Sequence, residues 1–195
     1  MTLPTFRLRR RQHAGARELQ GRPGKETLRF SLPVPARLAV VDAEFHLGAN
    51  MRAFGSGDIR GLLDYAPDAM ALPLDSALSL ADRKLRGLLD LPSLRLSLVV
   101  FSSVDLSDAE PLAAYHRDLL WKAFGVPVFE QLRGWDGRVM ARECEVHDGL
   151  HFDMNATVAI PAGFAAELVT GHCDCGIETA RLRYRTAVRT RTAAA

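Results

Sequence analysis

Between residues 37 and 132 the apolar residues switch repeatedly between the period of a strand and that of a helix, with a proline, glycine or capping residue at most switches. A chain that alternates in this way has few folding options, because each helix must carry it back to start the next strand in parallel. SLPVPAR reads as an extended lead-in to a strand at 37–41. A short helix is predicted over 56–65, with Ile59, Leu62 and Leu63 inward and Pro67 closing it. A buried strand follows at 69–72. Asp75 or Ser76 then caps a helix whose inner face is Leu78, Ala81, Leu85 and Leu88, ended by Pro92. RLSLVVF (95–101) is a strand by its β-branched content. Ser107 and Glu110 form a capping-box pattern, opening a helix that buries Leu112, Tyr115, Leu119 and Ala123 and stops at Gly125. VPVFEQL (126–132) is the next strand.

After Gly134 the pattern changes. GRVMARECEV, LHFDM, ATVAIP and AAELVTG are short strands separated by turn residues, the signature of an antiparallel meander. The expected class is α/β: a small parallel αβ layer followed by an antiparallel, zinc-stapled β-subdomain. The expected divisions are a basic, disordered arm at 1–29, an α/β core at 30–134, a β-subdomain at 135–182 and a basic tail at 183–195.

The 195 residues suffice for one domain with a small appendage, and 48% apolar and 25% charged content is ordinary for a globular chain. No apolar run approaches the roughly 18–20 residues needed to span a bilayer. The basic N-terminus lacks the apolar core of a secretory signal. Three cysteines cannot all pair as disulfides, which favours a reducing, cytoplasmic setting and a metal or free-thiol role. Of the 25 Lys and Arg, eight fall in residues 1–29 and five in residues 181–195, leaving 12 basic against 21 acidic residues between. Basic arms on an acidic body suit nucleic acid or an anionic surface. Too few aromatics are interleaved for a stacking platform, so solvated tails are the expected reading.

All three cysteines lie in two segments: Cys144 in ECEVHDGLH, with His151 at its end, and Cys173 and Cys175 in HCDCG. A Cys/His quartet is the soft, tetrahedral donor set that zinc prefers, and a full Cys₃His set leaves no open position, which makes such a site structural. A glycine turn at Gly176 can point both thiolates of the Cys-x-Cys pair at one ion. A hairpin turning at 148–149 would bring Cys144 and His151 within reach. The spacing is not the common Cys-x₂-Cys knuckle, and His147 and His172 stay open as alternatives to His151.

FGVPVFEQLRGWDGRVMARECEVHDGLHFD resembles the stretch of phenylacetate-CoA ligases that runs from the adenylate-binding loop into a Cys/His-bearing hairpin. AELVTG followed by CDCG resembles that family's later elements. LLDYAPDAMALPLDSALSLAD and LPSLRLSLVVFSS resemble its upstream helix–strand–helix passage and the segment leading to the loop. The resemblance covers roughly residues 56–182. It implies a fragment of the adenylate-forming ligase fold, an activity that joins a carboxylate to coenzyme A through ATP and Mg²⁺, and a zinc cluster of Cys144, His151, Cys173 and Cys175.

The catalytic parts depart from the family. No Ser/Thr/Gly-rich phosphate loop ending in Gly-Lys occurs, and the chain is expected to begin after the place where the family has it. The adenylate motif corresponds to Arg133-Gly134-Trp135-Asp136-Gly137. Arg133 replaces the aromatic, and neither the hydroxyl residue nor the Glu is kept, which leaves Gly134, Trp135 and Asp136 as remnant candidates. Arg183-Tyr184-Arg185-Thr186 follows the Cys-x-Cys turn and lacks the acid that would hold a ribose. The family's small C-terminal domain is also expected to be missing. Adenylyl chemistry depends on positioning the phosphates and stabilising their charge, so ATP and CoA use is doubtful.

The leading expectation is a degenerate ligase relative acting as a zinc-binding accessory or binding protein. One alternative is an AMP-forming acid–CoA ligase active only with a protein partner that supplies the ATP loop. Another is a nucleic-acid-binding protein using its Arg-rich arms. No membrane association is expected. Minor candidates are His46 as a pocket base and Gly55-Ser56-Gly57 as an anion-binding turn. Ser102-Ser103 lacks nucleophile-elbow glycines, and Trp121 is expected to pack.

Overall fold

The computed structural model describes residues 35–43, 47–103, 112–134, 139–152 and 166–184. Strands β1 (Leu38–Val41), β2 (Met51–Phe54), β3 (Ala69–Pro73), β4 (Ser97–Ser103) and β5 (Val128–Arg133) are interleaved with helices α1 (Ile59–Tyr65), α2 (Leu74–Leu85) and α3 (Ala114–Phe124). Strands β6 (Val139–Glu143), β7 (Leu150–Phe152), β8 (Ala166–Val169) and β9 (Arg181–Tyr184) follow. All nine join one sheet in the order β2-β1-β3-β4-β5-β6-β7-β9-β8. The expected parallel layer and the antiparallel strands after it are both present, joined in one continuous sheet that changes direction at β5. That strand pairs in parallel with β4 (Leu98↔Val128) and antiparallel with β6 (Gln131↔Arg142).

The three helices pack on one face. Leu62 of α1, Ala77, Leu80 and Ala81 of α2, and Leu120, Ala123 and Phe124 of α3 share a core with Ala39, Val41, Met70, Leu72, Leu98, Val100 and Val128. Successive right-handed crossovers toward β5 place helices on the same side of a twisted sheet. Leu38, Val40, Ala69, Ala71 and Val99 face the other way and are also buried. Strands covered on both sides read as continuous apolar runs, as LAVV does. The antiparallel half extends the helix-side core through Leu132, Ala141, Leu150, Phe152 and Leu182.

Several expected helix faces are rotated. In α2 the buried stripe is Ala77, Leu80 and Ala81, while Leu85 and Leu88 are 45% and 65% exposed. The helix ends at Leu85, so Leu88 lies beyond it, and the sheet is met by the small residues that let the helix approach closely. In α3, Tyr115 and Leu119 are exposed, and Leu120, Ala123 and Phe124 are buried. The helix starts at Ala114, with Ala113 at its N-cap and no side-chain cap. Ser107 and Glu110 of the capping-box expectation lie outside the described residues. Asp58 caps α1, accepting from the Gly61 amide, and Leu63, expected inward, faces solvent. Gly125 ends α3 at φ 69° as expected. Strands β2 and β9 were not anticipated, and β9 runs across the 182/183 division. ATVAIP lies outside the described residues. Among those residues no helix is long and apolar enough to cross a membrane.

An ion pair ties the helical layer to the antiparallel half. Arg117 of α3 grips Glu143 at the end of β6 through both guanidinium nitrogens, each at 3.0 Å. Arg117 also donates to the Val128 carbonyl, and Glu143 accepts from the Glu130 amide at 2.9 Å. Glu143 is 5% exposed, so its charge relies on these donors.

Two outcomes are expected from urea denaturation. Leu80→Ala should cost about 2–5 kcal/mol, the range for a filled core site, while Leu85→Ala stays within about 0.5 kcal/mol. Arg117→Met, which strands the buried Glu143 carboxylate, should cost about 3–5 kcal/mol; a loss below about 1 kcal/mol would show that the pair does not join the halves.

Candidate metal centre

The site lies on the sheet face opposite the helices. Registers across the antiparallel half place Gln131, Arg142, His151, Arg181 and Val169 in one cross-strand row, one residue from each of β5, β6, β7, β9 and β8. Side chains in such a row share a face. His151 is thus set at the centre of the smallest strand, flanked by an arginine on either side.

Local backbone chemistry brings the cysteines to it. Cys144 follows β6 and starts a turn in which the His147 amide donates to its carbonyl at 3.1 Å. His147 completes the reversal at φ 57°. Gly149 follows at φ 85°, where an added Cβ would lie 2.8 Å from the Leu182 carbonyl oxygen, so only glycine fits between β7 and β9. A second turn holds the Cys-x-Cys pair: the Gly176 amide donates to the Cys173 carbonyl at 2.8 Å, with Gly176 at φ 81°. The Ile177 amide points at the Cys175 sulfur, 3.4 Å away.

The result is a compact donor set. The ligand atoms of Cys144, His151, Cys173 and Cys175 all lie within 4.8 Å of one another. Cys144 Sγ is 3.8 Å from Cys173 Sγ, and Cys175 Sγ is 3.4 Å from His151 Nε2. Cys144, Cys173 and His151 are buried, and Cys175 is half-buried. On the far side of the ring, His151 Nδ1 is 3.2 Å from the Thr179 hydroxyl. When Nδ1 donates to that hydroxyl, Nε2 is the nitrogen left to face a metal.

The electrostatics suit a ligand set. Burial, with Arg181 and Arg142 nearby, lowers the His151 pKa and keeps the imidazole neutral at pH 7. Burial pushes the Cys144 thiol up to about 12, so it gives up its proton only to a strong competitor such as a metal ion. Cys173 moves the other way: burial opposes ionisation, but the Cys175 amide, the two neighbouring thiols and Arg181 outweigh it.

The other candidates are placed elsewhere. His147 is 3.0 Å from Glu143 Oε1 and stacks on Phe129, and His172 is exposed, so neither belongs to the cluster. Gly134 follows β5, while Trp135, Asp136 and His46 lie outside the described residues. The Ser56 amide, one arm of the expected anion-binding turn, is taken by Asp42 at 2.8 Å. Ser102 donates to Glu130 at 2.6 Å. Trp121 is 54% exposed rather than packed. Thr179, Arg142 and Arg181 were missed, because their relation to His151 exists only through strand pairing.

Searches for relatives bear on the fold. No protein-family model and no curated protein matches the chain. Among solved structures it is similar to 2-hydroxyisobutyryl-CoA ligase in an open conformation with 2-HIB-AMP and CoA, at 16% identity and a TM-score of 0.53, over 76% of this chain and 44% of that one. It is also similar to that ligase in the postadenylation state with 2-HIB-AMP, at 16% identity and a TM-score of 0.52, over 76% and 42%. The chain therefore shares the fold of part of that ligase and spans less than half the length of those structures.

Next to the cluster, Asp148 accepts from both Arg181 and Arg183. The Arg183 hydrogen bond is the main cause holding its carboxyl below the ordinary range, and with the charges of Arg181 and Arg183 it outweighs the opposing effect of burial. A depressed folded pKa gives stability that is complete above the unfolded value and is lost as pH falls through the folded one. Asp148→Asn should therefore flatten the acid limb of stability without changing its neutral slope, as read from urea midpoints against pH. An unchanged acid limb would contradict this.

Proposed function

We propose that this chain is a metal-stapled, ligase-fold accessory or binding protein related to the phenylacetate-CoA ligases, without adenylate-forming activity of its own. The observation that carries the metal half is the convergence of Cys144, His151, Cys173 and Cys175 within 4.8 Å, on segments 22 residues apart at their nearest in sequence (His151 to Cys173). Three thiolates and a neutral imidazole fit zinc, and bound zinc would clamp the Cys144 turn, β7 and the Cys-x-Cys turn together as a closed structural site. Its contribution is cohesion, since a full ligand set leaves no place for a reacting water.

The catalytic half rests on the end of β5. Arg133 stands where the resembled motif has its aromatic, and its guanidinium lies over the Phe101 ring, 4.3 Å from the centroid. It is 7% exposed and also donates to Gln131. A buried arginine side chain occupies this end of the strand, and no phosphate loop ending in Gly-Lys occurs in the 195 residues to hold a nucleotide beside it. A second reading has support from coverage: a chain matching 44% of a ligase could be completed by a partner chain carrying the ATP loop. Activity would then need both chains.

Elemental analysis of the purified chain should find one zinc per molecule, and chelation should lower its thermal midpoint. Calorimetric titration with ATP should show no binding, and assays with 2-hydroxy and aryl acids should release no pyrophosphate. Metal-free protein at full stability would remove the staple. Pyrophosphate release by the chain alone would overturn the non-catalytic reading, and release only with a partner chain would establish the second one.

A further inference from the structure

We infer that Arg181 is the counter-charge of the metal cluster, a positioning residue that sets its affinity and electronic character without ligating the ion. The inference rests on the metal reading above and concerns how that site is held.

A divalent ion with three thiolates and a neutral imidazole carries one net negative charge. Left uncompensated in a buried setting, such a charge is costly. Arg181 is directly across from the ligand His151 in the β7–β9 pairing. It is 5% exposed, and among the described residues Arg133 is the only other buried cation, placed on β5 over Phe101. One of its nitrogens donates to the carbonyl of His172, the residue before the ligand Cys173, at 3.3 Å. Another donates to the carbonyl and carboxylate of Asp148, in the turn that leads to His151. The guanidinium is thus fixed to both segments that carry ligands.

Asp148 offsets this charge only in part. Its carboxylate is shared with Arg183 and its side chain is 36% exposed, so solvent and a second cation both draw on it. Glu167 approaches Arg183 at 3.9 Å from the exposed side. Arg142 flanks His151 from β6, but it is half-buried and better screened by water. Hydrogen bonds to Asp148 and His172 hold the Arg181 guanidinium in place, while its Nε is buried without a hydrogen-bond partner.

The test uses the full chain loaded with zinc or with cobalt(II). Affinity is read by competition with a chromophoric chelator, and the thiolate environment by the sulfur-to-cobalt charge-transfer band. Arg181→Met should weaken zinc binding about 10–100-fold, the range for loss of a group supporting metal ligands. It should also move the charge-transfer band to longer wavelength, because thiolates without a nearby cation hold their electrons less tightly. The ligand-field bands should stay in place if the S₃N set is intact. Arg181→Lys, which keeps the charge and loses the fork, should remain close to the unsubstituted chain in both readouts. Asp148→Asn should move the band the opposite way, to shorter wavelength, by freeing the arginine's charge.

Equal losses in the Met and Lys variants, or an unmoved band in the Met variant, would overturn the inference. Should the Met variant fail to fold, the Lys and Asp148 variants still decide it through the sign of their band shifts. An unsubstituted chain that takes up neither metal would remove the metal reading itself, and this inference with it.

Discussion

The bidentate pair between Arg117 and Glu143 joins two kinds of β-structure that have no covalent reason to stay in register. Parallel strands β1 to β5 are held by crossovers and by the helices on one face. Among the described residues the antiparallel strands have no helix of their own. Glu143 closes β6 while accepting from the β5 amide of Glu130 and from Arg117 on α3, so helix, turning strand and first hairpin meet at one carboxylate. Buried ion pairs often add little net stability relative to an apolar core, yet breaking one is costly because a charge is stranded. That asymmetry gives the junction its specificity. The next residue is Cys144, so the same junction sets where the first thiol lies.

From there the candidate centre follows as a second place where separate segments meet. The cysteines and histidine sit on the helix-free face, where the antiparallel half has an arginine-flanked histidine row instead of a packed helix. Turns supply the thiols, strands supply the histidine, and hydrogen bonds from Thr179 and Arg181 fix the orientation of what the turns deliver. Such an arrangement gathers four donors suited to a metal ion in one place.

Fold and function are separate questions for this protein. The likeness to an adenylate-forming CoA ligase is a likeness of architecture at 16% identity, and one architecture supports many activities. Function must be argued from sites, and the two sites here differ. The donor cluster is complete in residue types and geometry. The end of β5 carries a buried arginine stacked on Phe101, with no phosphate-binding loop in the sequence to accompany it.

The alternation of apolar periods sufficed to place β1, β3, β4 and β5, all three helices, and the change to antiparallel pairing after Gly134, because burial on one or two faces imposes those periods directly on the chain. Residue chemistry likewise singled out Cys144, Cys173, Cys175 and a nearby histidine, since few other roles gather soft donors so closely. Which histidine joins them was decided by pairing: His147 turns back to Glu143 and Phe129, and only His151 stands in the row that faces the thiols. The rotation of α2 and α3 was decided by the sheet, which accepts Ala77, Ala81 and Ala123 at close approach and leaves Leu85, Leu119 and Tyr115 in water. Arg181 shows the limit most clearly. In sequence it is one arginine in a basic terminus, and it becomes a buried partner of His151 only because β9 inserts between β7 and β8, a non-local hydrogen-bonding choice that no local period encodes.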